Sequence, residues 1–188
     1  GANAINTMTE AISPLLEELS GGRSLLKIIS NLAVHRVSKA KAVFAQEALG
    51  GEEIVDNILK AYAFAESDIY RCSTHNKGIM NGISALALAT MNDTRAIEAA
   101  AHAWAARDGR YRGLSSYAFD GRVLEGSLEL PLAFAAVGGA VGFHPASRLA
   151  LAVLGNPGGP GLSRIAAALG LAQNFAALRA LVSGGIQR

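Results

Sequence analysis

The chain has 188 residues, of which 51% are hydrophobic, and its formal net charge at pH 7 is only +2. This length and composition allow one medium-sized domain, or one domain and part of another, with a sizeable core. The small net charge, with no block of like charges, argues against a nucleic-acid-binding surface, although a small basic pocket for a phosphorylated ligand is compatible with it.

Three further features bear on the location of the protein. The single cysteine, Cys72, allows no internal disulfide and fits a reducing compartment. The most apolar run, residues 128–143, is interrupted by a charge, a proline and a glycine pair, and is too short to cross a bilayer. The chain begins Gly1-Ala2-Asn3, without Met and without a secretory signal, in a pattern typical of a segment of a longer protein. We therefore expect a cytoplasmic protein with no membrane partner.

The first part of the chain predicts a helix followed by a strand. Apolar residues recur at helical spacing over residues 3–19, and Gly21-Gly22 ends the run. Pro14 should bend or shorten this helix. Residues 25–29 are rich in Leu and Ile and predict a buried strand, as in the closing portion of an α/β unit. Asn3 is either an ordinary N-cap or part of a helix start whose backbone N–H groups face a phosphate.

The middle of the chain is predicted to be mostly helical. Residues 41–44 fit either a strand or a helix, whereas residues 52–65 predict a helix with one apolar side. A polar stretch, residues 71–76, leads to a helix predicted from about Lys77 to Thr90. This helix is apolar on most faces, so it belongs in the interior or at a subunit interface. Residues 94–107 predict an Ala-rich helix.

The last part of the chain predicts a β-hairpin and two helices. Asp120-Gly121 lies between alternating strands and is typical of a hairpin turn. His144-Pro145 predicts a helix start with proline at the first helical position. That helix should stop at a Gly/Pro-rich loop, residues 155–161. A final helix is predicted from about residue 162 to 182, with an interruption near Gly170.

Several candidate sites have ordinary structural interpretations. Residues 155–161 lack the Gly-Lys-Ser/Thr ending of a phosphate-binding loop, so we interpret them as a helix connector. Cys72 and His75 could form a thiol–imidazole pair, but no third, orienting residue is identifiable. His102 lies in an Ala-rich helix and is interpreted as a packed core histidine. No cluster has metal-ligand spacing, so no metal is expected.

Lys77 and Asp93 each have a functional and a structural interpretation. A lysine at a helix N-terminus lies at the unfavourable end of the macrodipole, which is offset by carboxylates, accepted for function, or avoided by reaching into water. Asp93 is either a functional carboxylate or the N-cap of the helix that starts at Thr94. The two residues are 93 − 77 = 16 positions apart, or about 24 Å along a continuous helix. If they meet, the helix is broken, for example at Gly82, or Lys77 meets an Asp93 from a second subunit.

Two strings carry a specific resemblance: residues 74–82, Thr-His-Asn-Lys-Gly-Ile-Met-Asn-Gly, and residues 89–99, which contain Asn92-Asp93. They resemble the bacterial class II 3-hydroxy-3-methylglutaryl-CoA (HMG-CoA) reductases. Supporting matches run collinearly along the whole chain, at residues 1–3, 29–33, 62–65, 128–131, 137–139, 170–175 and 185–188. The resemblance therefore covers the chain from its first residue to its last.

The resemblance implies an α+β fold with two parts. Residues 1–35 would be the C-terminal part of a small α/β dinucleotide-binding domain. Residues 36–188 would be part of a helix-rich large domain for substrate binding and dimerisation, with a central apolar helix and a short sheet or hairpin. Because the family's active sites lie at a dimer interface, a homodimer or a higher even oligomer is implied.

The resemblance also implies site residues. Lys77 and Asp93 match the family's catalytic lysine and aspartate. Six residues match positions that hold the hydroxymethylglutaryl group or line its pocket: Arg71, Thr74, Asn81, Gln173, Ala177 and Leu181. Three match the dinucleotide-contacting part of the small domain: Gly1, Asn3 and Asn31. Cys72 has no part in the family's chemistry.

The family reaction reduces the HMG-CoA thioester to mevalonate and free CoA with two hydrides from NADH or NADPH, or runs in reverse. Each hydride addition builds negative charge on a carbonyl oxygen, which an ammonium such as Lys77 stabilises. Asp93 would keep that lysine charged, and Arg71 could hold the substrate's free carboxylate by two-point contact.

The family also uses a glutamate from its N-terminal region and a histidine in a mobile C-terminal flap, and neither has a counterpart in this chain. We therefore expect a middle-to-late segment of a reductase that is inactive alone. Two other functions stay open at this point. One is a non-catalytic, dimerising interaction module, and the other is a Cys72-dependent acyl transferase acting on a CoA thioester.

Overall fold

The structure, a computed structural model, describes residues 2–184. This part of the chain divides between Asn31 and Leu32 into two compact units. The predicted domain boundary after residue 35 lies close to this division and stays a prediction. The prediction for Gly1 and the sequence match at residues 185–188 lie outside the described residues.

The first unit contains one helix, α1 (Ala2–Ser20), as predicted for residues 3–19. The helix continues through Pro14 and is therefore not shortened there, whereas the alternative, a bend at Pro14, stays a prediction. The buried strand predicted at residues 25–29 is also wrong, because Leu25 and Leu26 are 78% and 86% exposed and no described strand pairs with them. A strand needs a hydrogen-bonded neighbour, and the described residues of this unit supply none.

The second unit contains a three-stranded antiparallel sheet in the order β1–β3–β2. Its strands are β1 (Val37–Ala45), β2 (Ser115–Phe119) and β3 (Val123–Pro131). The undecided residues 41–44 are therefore strand. The hairpin turn predicted at Asp120-Gly121 is confirmed: it joins β2 to β3, and Gly121 takes a positive φ of 96°. The strands turn one face inward, where Leu124, Leu128 and Leu130 of β3 are buried.

The described part of the second unit also contains six α-helices and a short 3-10 helix, Gly139–Gly142. The α-helices are α2 (Gln46–Leu49), α3 (Glu52–Ser67), α4 (Ile69–Ala89), α5 (Thr94–Ala105), α6 (Pro145–Val153) and α7 (Gly159–Ser183). The helices predicted at residues 52–65 and 94–107, and the helix start at His144-Pro145, are confirmed. The interruption predicted near Gly170 is wrong, since α7 runs through it.

Helix α4 begins eight positions before Lys77, not at it. The Asp68 side chain caps the helix by accepting a hydrogen bond from the Arg71 backbone N–H at 2.7 Å. Lys77 therefore lies in the helix interior, where the terminal macrodipole effect has faded, so the cost expected from a helix-start lysine does not apply. The helix also continues without a break through Gly82.

Helix α7 is the centre of this unit and packs against α3, α4, β1 and β3. Gly170 allows the closest approach: a Cβ at this position would lie 2.8 Å from Ile83 Cδ1 and 3.0 Å from Leu128 Cδ2. Among the described residues, α7 is also the one helix long and apolar enough to cross a membrane by length and composition. One third of its most apolar window is buried by this packing.

Candidate active site

A groove of about 520 Å³ lies between α4 and α7. It brings together all the residues predicted to contact the hydroxymethylglutaryl group and the predicted catalytic lysine, namely Arg71, Thr74, Lys77, Asn81, Gln173, Ala177 and Leu181. Residues three, four and seven positions apart share one side of a helix, so each helix presents its set to the same space. The structure groups these side chains; their contacts with substrate stay predictions.

The two walls of the groove differ in chemistry. The α4 wall carries two cationic side chains, Arg71 and Lys77, while no carboxylate lines the groove among the described residues. The α7 wall begins with amides at Gln173 and Asn174 and continues with alanines and Leu181. Such a groove suits a small anionic ligand that also carries an apolar branch.

Lys77 is exposed within the groove and forms no ion pair with any residue that the structure describes. Its neighbour Gly78 also lines the groove, and a Cβ there would meet nothing within 4 Å. The Lys77 side chain is accessible to solvent. It is free to contact a ligand rather than being held by a structural carboxylate.

Asp93 does not line the groove in this chain. The side chain caps α5, accepting a hydrogen bond from the Ala96 N–H at 3.1 Å, so the structural interpretation as an N-cap is confirmed. After α4 ends, the Asn92 N–H donates to the Ala87 carbonyl at 2.8 Å, which holds Asp93 at the carboxyl end of that helix. Ten helical positions from Lys77 to Ala87 correspond to about 15 Å.

The expectation that a break at Gly82 could bring Lys77 to Asp93 is wrong. Gly82 instead allows α7 to approach, because a Cβ there would lie only 3.1 Å from Leu169 Cγ. A glycine inside a helix is tolerated where a neighbouring helix fills the space beside it. Within one chain, the catalytic pair implied by the resemblance is therefore separated.

A cluster of buried polar side chains lies beneath the groove and was missed by the sequence analysis. It consists of His75 from α4, Ser115 and Tyr117 from β2, and Asn174 from α7; His75 and Asn174 also line the groove. His75 Nε2 lies 2.7 Å from Ser115 Oγ, while the Ser115 and Tyr117 hydroxyls donate to Asn174 Oδ1 at 2.9 and 2.8 Å. Burial, assisted by the Arg71 charge, lowers the pKa of His75 from 6.5 to about 4, so the imidazole is neutral at pH 7.

Asn76, the next residue of α4, fixes the chain that leads into β2. Its amide nitrogen donates to the Arg112 carbonyl at 2.8 Å, and its amide oxygen accepts from the Leu114 N–H at 2.9 Å. The signal available in the sequence was the adjacent pair His75-Asn76 inside an otherwise apolar helical face. The sequence does not reveal the partners, because they lie 36 to 99 positions away.

Cys72 does not have the environment of a nucleophile. Its side chain is buried, and burial raises the pKa of the thiol above its ordinary value, with the nearby Glu66 charge adding to the effect. Its polar neighbour is the Asn76 amide at 4.0 Å, while His75 is engaged with Ser115 and Asn174. The structure therefore disfavours an acyl transferase that depends on Cys72.

His102 is only half-buried, and its ring forms a hydrogen bond with the Tyr111 hydroxyl at 2.8 Å. It is therefore packed against a neighbour but is not a fully buried core histidine, which differs from the prediction.

The residues predicted to contact a dinucleotide lie in the first unit, and Gly1 is outside the described residues. Asn3 and Asn31 are both exposed. The Asn6 side chain accepts a hydrogen bond from the Ile29 N–H at 2.8 Å, which draws the segment leading to Asn31 alongside the start of α1. The first turn of α1 has no acidic residue. Contact of Gly1, Asn3 and Asn31 with a dinucleotide stays a prediction.

A second hollow, of about 580 Å³, lies beside α6. It is lined mainly by apolar residues together with Arg148 and Asn156, and none of the predicted site residues lines it. Among residues 2–184, no group of three or more His, Cys, Asp or Glu side chains could hold a metal ion. The predicted substrate-binding residues and Lys77 therefore lie in the groove between α4 and α7, whereas Asp93, Asn3 and Asn31 do not line it.

Known proteins share this sequence and architecture. The family model described as hydroxymethylglutaryl-coenzyme A reductase matches residues 1–188. The chain is 55% identical over 189 residues to the 3-hydroxy-3-methylglutaryl-coenzyme A reductase of Archaeoglobus fulgidus, and 37% identical over 193 residues to the probable enzyme of Borreliella burgdorferi. Both alignments cover the whole of this chain. The chain belongs to the hydroxymethylglutaryl-coenzyme A reductase family.

Solved structures point to the same oxidoreductase family. The class II enzyme of Streptococcus pneumoniae, in a structure bound to NADPH in open conformations, superposes with a TM-score of 0.95 at 50% identity. That match covers 100% of this chain and 47% of the S. pneumoniae chain. This chain likewise spans 43% and 45% of the A. fulgidus and B. burgdorferi proteins. It therefore corresponds to less than half the length of these relatives.

Proposed function

We propose that this chain is the groove-bearing part of an enzyme that reduces the HMG-CoA thioester to mevalonate and releases free CoA. The reduction takes two hydrides from NADH or NADPH, and the same site could run the reverse oxidation. The observation that carries this proposal is the joint presence of Arg71 and Lys77 in one groove that no carboxylate lines among the described residues. Fixed cations suit a substrate that is anionic and gains more negative charge as it reacts.

The reaction requires a group that stabilises negative charge on the carbonyl oxygen in both hydride additions. In the first step a hydride adds to the thioester carbon, the oxygen takes up the π electrons, and the adduct then expels the CoA thiolate to leave an aldehyde. In the second step a hydride adds to the aldehyde carbon. The thiolate and the final alkoxide each take one proton, so two hydrides and two protons account for both products. Lys77 would stabilise the oxygen in both steps.

The remaining groove residues would select and orient the hydroxymethylglutaryl group. The Arg71 guanidinium can hold the free carboxylate through two parallel hydrogen bonds. Thr74, Asn81 and Gln173 offer hydroxyl and amide groups for the substrate's hydroxyl and carbonyl oxygens. Ala177 and Leu181 offer an apolar surface to its methyl branch.

The nicotinamide cofactor would supply the hydride when bound. The start of α1, with Asn3 and Asn31 beside it, would hold a phosphate of this cofactor through backbone N–H groups and asparagine amides. The S. pneumoniae relative was solved with NADPH, which supports this choice of cofactor.

The distance between Lys77 and Asp93 within one chain supports an active site shared between two subunits. We propose a homodimer, or a higher even oligomer, in which Asp93 of one chain approaches Lys77 of the other. There the carboxylate would keep the ammonium charged through the reaction. In a two-fold symmetric dimer, such a contact occurs twice.

Mixing two inactive variants tests this arrangement. In the full-length protein, Lys77→Ala and Asp93→Ala should each abolish reduction, but a hybrid dimer of the two has one site with both native residues. Co-refolding the variants in equal amounts should therefore restore about one quarter of the wild-type activity, since half the dimers are hybrid and each has one intact site. Failure of the mixture to regain activity, with hybrid dimers detected by differential tagging, would contradict the shared site.

The reductase assignment is tested directly with Lys77→Ala in the full-length protein. We expect kcat for HMG-CoA-dependent NAD(P)H oxidation to fall by at least about 10²-fold, as when a charge-stabilising donor is removed. Folding should be retained because Lys77 is exposed. Lys60→Ala is the matched control, because Lys60 is an exposed helix lysine that pairs with Asp56 at 2.6 Å and lies outside the groove. Full activity in Lys77→Ala would remove Lys77 from the reaction, whereas a folded wild-type protein without HMG-CoA-dependent NAD(P)H oxidation would refute the assignment and would favour a non-catalytic dimerising module.

We also propose that the 188-residue chain alone does not form mevalonate. Among the described groove residues, the one imidazole is His75, which is buried and bonded to the cluster beneath. Among the residues that the structure describes, no carboxylic acid and no exposed imidazole lines the groove to protonate a departing thiolate. Mevalonate production by the isolated chain, measured by mass spectrometry with HMG-CoA and NADPH, would overturn this proposal.

A further inference from the structure

We propose that the buried polar cluster of His75, Ser115, Tyr117 and Asn174 sets the geometry of the groove, so that His75 and Asn174 are positioning residues for Lys77 and Gln173. This inference rests on the proposed reductase function and adds to it a pair of residues that the sequence analysis did not assign. The residues act through the backbone of their helices and not by contact with the reacting atoms.

The cluster joins the two walls of the groove through a third element. His75 belongs to α4, Asn174 belongs to α7, and both contact Ser115 of β2, His75 at 2.7 Å and Asn174 at 2.9 Å. The Asn174 amide nitrogen also lies 3.3 Å from His75 Nε2 and 3.4 Å from Nδ1, so the walls are linked directly as well. His75 and Asn174 are each only 2% exposed.

With the Asn174 amide oriented as in the structure, only one assignment of donors and acceptors satisfies all the hydrogen bonds of the cluster. Asn174 Oδ1 is an acceptor only, so both Ser115 and Tyr117 must donate their hydroxyl protons to it. Ser115 has then used its single proton and can only accept from His75. His75 must therefore carry its proton on Nε2, and its Nδ1 is left as an acceptor facing the Asn174 amide. Buried polar groups that satisfy one another in this way are costly to disturb.

The catalytic and substrate-binding residues follow directly from this cluster along the chain. Lys77 is two positions after His75 in α4, and Gln173 immediately precedes Asn174 in α7. Inside a continuous helix, a shift or rotation at one residue moves its neighbours by a similar amount. A misplacement of about 1 Å in a reacting site can cost about 10²-fold in rate.

A merely structural cluster makes a different prediction. In that case its loss would lower the free energy of unfolding, but the molecules that remain folded would keep the wild-type kcat and KM. If the cluster positions the groove residues, its loss lowers kcat in fully folded protein, and restoring the hydrogen bond to Ser115 recovers kcat. The kinetic constants of folded protein therefore distinguish the two roles.

The experiment uses three substitutions in the full-length protein. His75→Leu removes the hydrogen bonds of the ring, whereas His75→Gln places an amide nitrogen near the position of Nε2 and can still donate to Ser115. Ser115→Ala removes one small hydroxyl from the centre of the cluster. Ser163→Ala is the matched control, because Ser163 is also a buried serine, bonds to the Leu132 carbonyl at 2.8 Å, and lies outside the groove.

We expect His75→Leu and Ser115→Ala to lower kcat for HMG-CoA reduction by about 10-fold to 10²-fold. His75→Gln should recover most of the lost rate, and Ser163→Ala should lower only the unfolding midpoint. If His75→Leu fails to fold, Ser115→Ala and His75→Gln decide the outcome. Wild-type kcat and KM in folded Ser115→Ala, or no difference between Leu and Gln at position 75, would overturn the inference.

An assay of the wild-type protein distinguishes failure of this inference from failure of the proposed function. A wild-type protein that turns over HMG-CoA, with variants that are unaffected, refutes only the positioning role. A wild-type protein that oxidises no NADH or NADPH with HMG-CoA refutes the reductase assignment, and this inference with it.

Discussion

Asn92 and Ala135 are joined by two hydrogen bonds, as if they were paired residues of neighbouring strands. The Ala135 N–H donates to Asn92 Oδ1 at 2.7 Å, and Asn92 Nδ2 donates to the Ala135 carbonyl at 3.0 Å. The same amide also donates to Thr90 Oγ1 at 3.0 Å. The turn between α4 and α5 is thereby fixed, although it contains Met91 at an uncommon φ of 55°. Asp93 follows immediately, so its position depends on this side chain.

Asn92→Asp tests this attachment. The substitution keeps the acceptor for the Ala135 N–H, but it removes both donors and brings a carboxylate towards the Ala135 carbonyl oxygen. We expect the free energy of unfolding to fall by about 1–3 kcal/mol, measured by urea denaturation. Asn57→Asp in α3 is the control, because the Asn57 side chain forms no hydrogen bond with a described residue. Equal stability of the two variants would show that the Asn92 bonds contribute little.

Arg71→Lys tests whether the groove recognises a carboxylate by two-point contact. Lysine keeps the positive charge but lacks the planar fork, so one of two parallel hydrogen bonds is lost. We expect KM for HMG-CoA to rise by about 10-fold in steady-state assays of the full-length enzyme, the equivalent of about 1.4 kcal/mol. Arg164→Lys, at an exposed position of α7 outside the groove, should leave KM unchanged. An unchanged KM in Arg71→Lys would remove Arg71 from substrate binding.

Gly170→Ala tests the close packing of α7 against Ile83 and Leu128. The new Cβ would lie 2.8 Å from Ile83 Cδ1 and 3.0 Å from Leu128 Cδ2, so these core side chains would have to move. Overpacking of this kind should cost about 1–3 kcal/mol in the free energy of unfolding, partly offset by the better helix propensity of alanine. Gly78→Ala in α4 has nothing within 4 Å of the new Cβ and should be neutral or stabilising. The prediction fails if thermal unfolding gives the two variants the same midpoint.

The pH dependence of stability follows from His75. Its pKa is about 4 in the folded protein and 6.5 ordinarily, so the unfolded chain binds a proton in this interval that the folded chain does not. Stability from this group is therefore fully present above about pH 6.5 and is lost as the pH falls towards 4, by about 3 kcal/mol in total.

Chemical denaturation of wild type and His75→Gln between pH 7 and 4 measures this effect. As the pH falls, the wild type should lose up to about 3 kcal/mol more unfolding free energy than His75→Gln. Ser163→Ala gives the control, because it removes a buried hydroxyl and no titratable group, so its profile should run parallel to that of the wild type. Parallel profiles for all three proteins would show that His75 has no abnormal titration.

The sequence predicted the elements whose signals are local. Spacing of apolar residues located α1, α3 and α5, Asp120-Gly121 located the hairpin, and Pro145 located the start of α6. The resemblance then grouped residues of α4 and α7 that the structure brings into one groove. That grouping was available because a few polar residues in specific order are much more informative than apolar periodicity.

The failures arose where a signal was weak or the partner was distant. The start of α4 was placed too late because the polar residues 71–76 were interpreted as a stretch preceding the helix, whereas Asp68 caps it. Residues 25–29 have the composition of a strand but no described neighbour to pair with. The cluster of His75 and Asn174 joins residues 99 positions apart, which no local pattern reveals.

Both walls of the groove are unbroken helices, and buried amide and imidazole groups tie them to each other and to the sheet. We expect a groove of this kind to be rigid and not to close around its ligand, because neither wall contains a hinge. Substrate arrival should then leave the backbone of α4 and α7 almost unmoved. If the proposed reductase function holds, we expect other parts of the full-length protein to exclude bulk water from the reacting atoms.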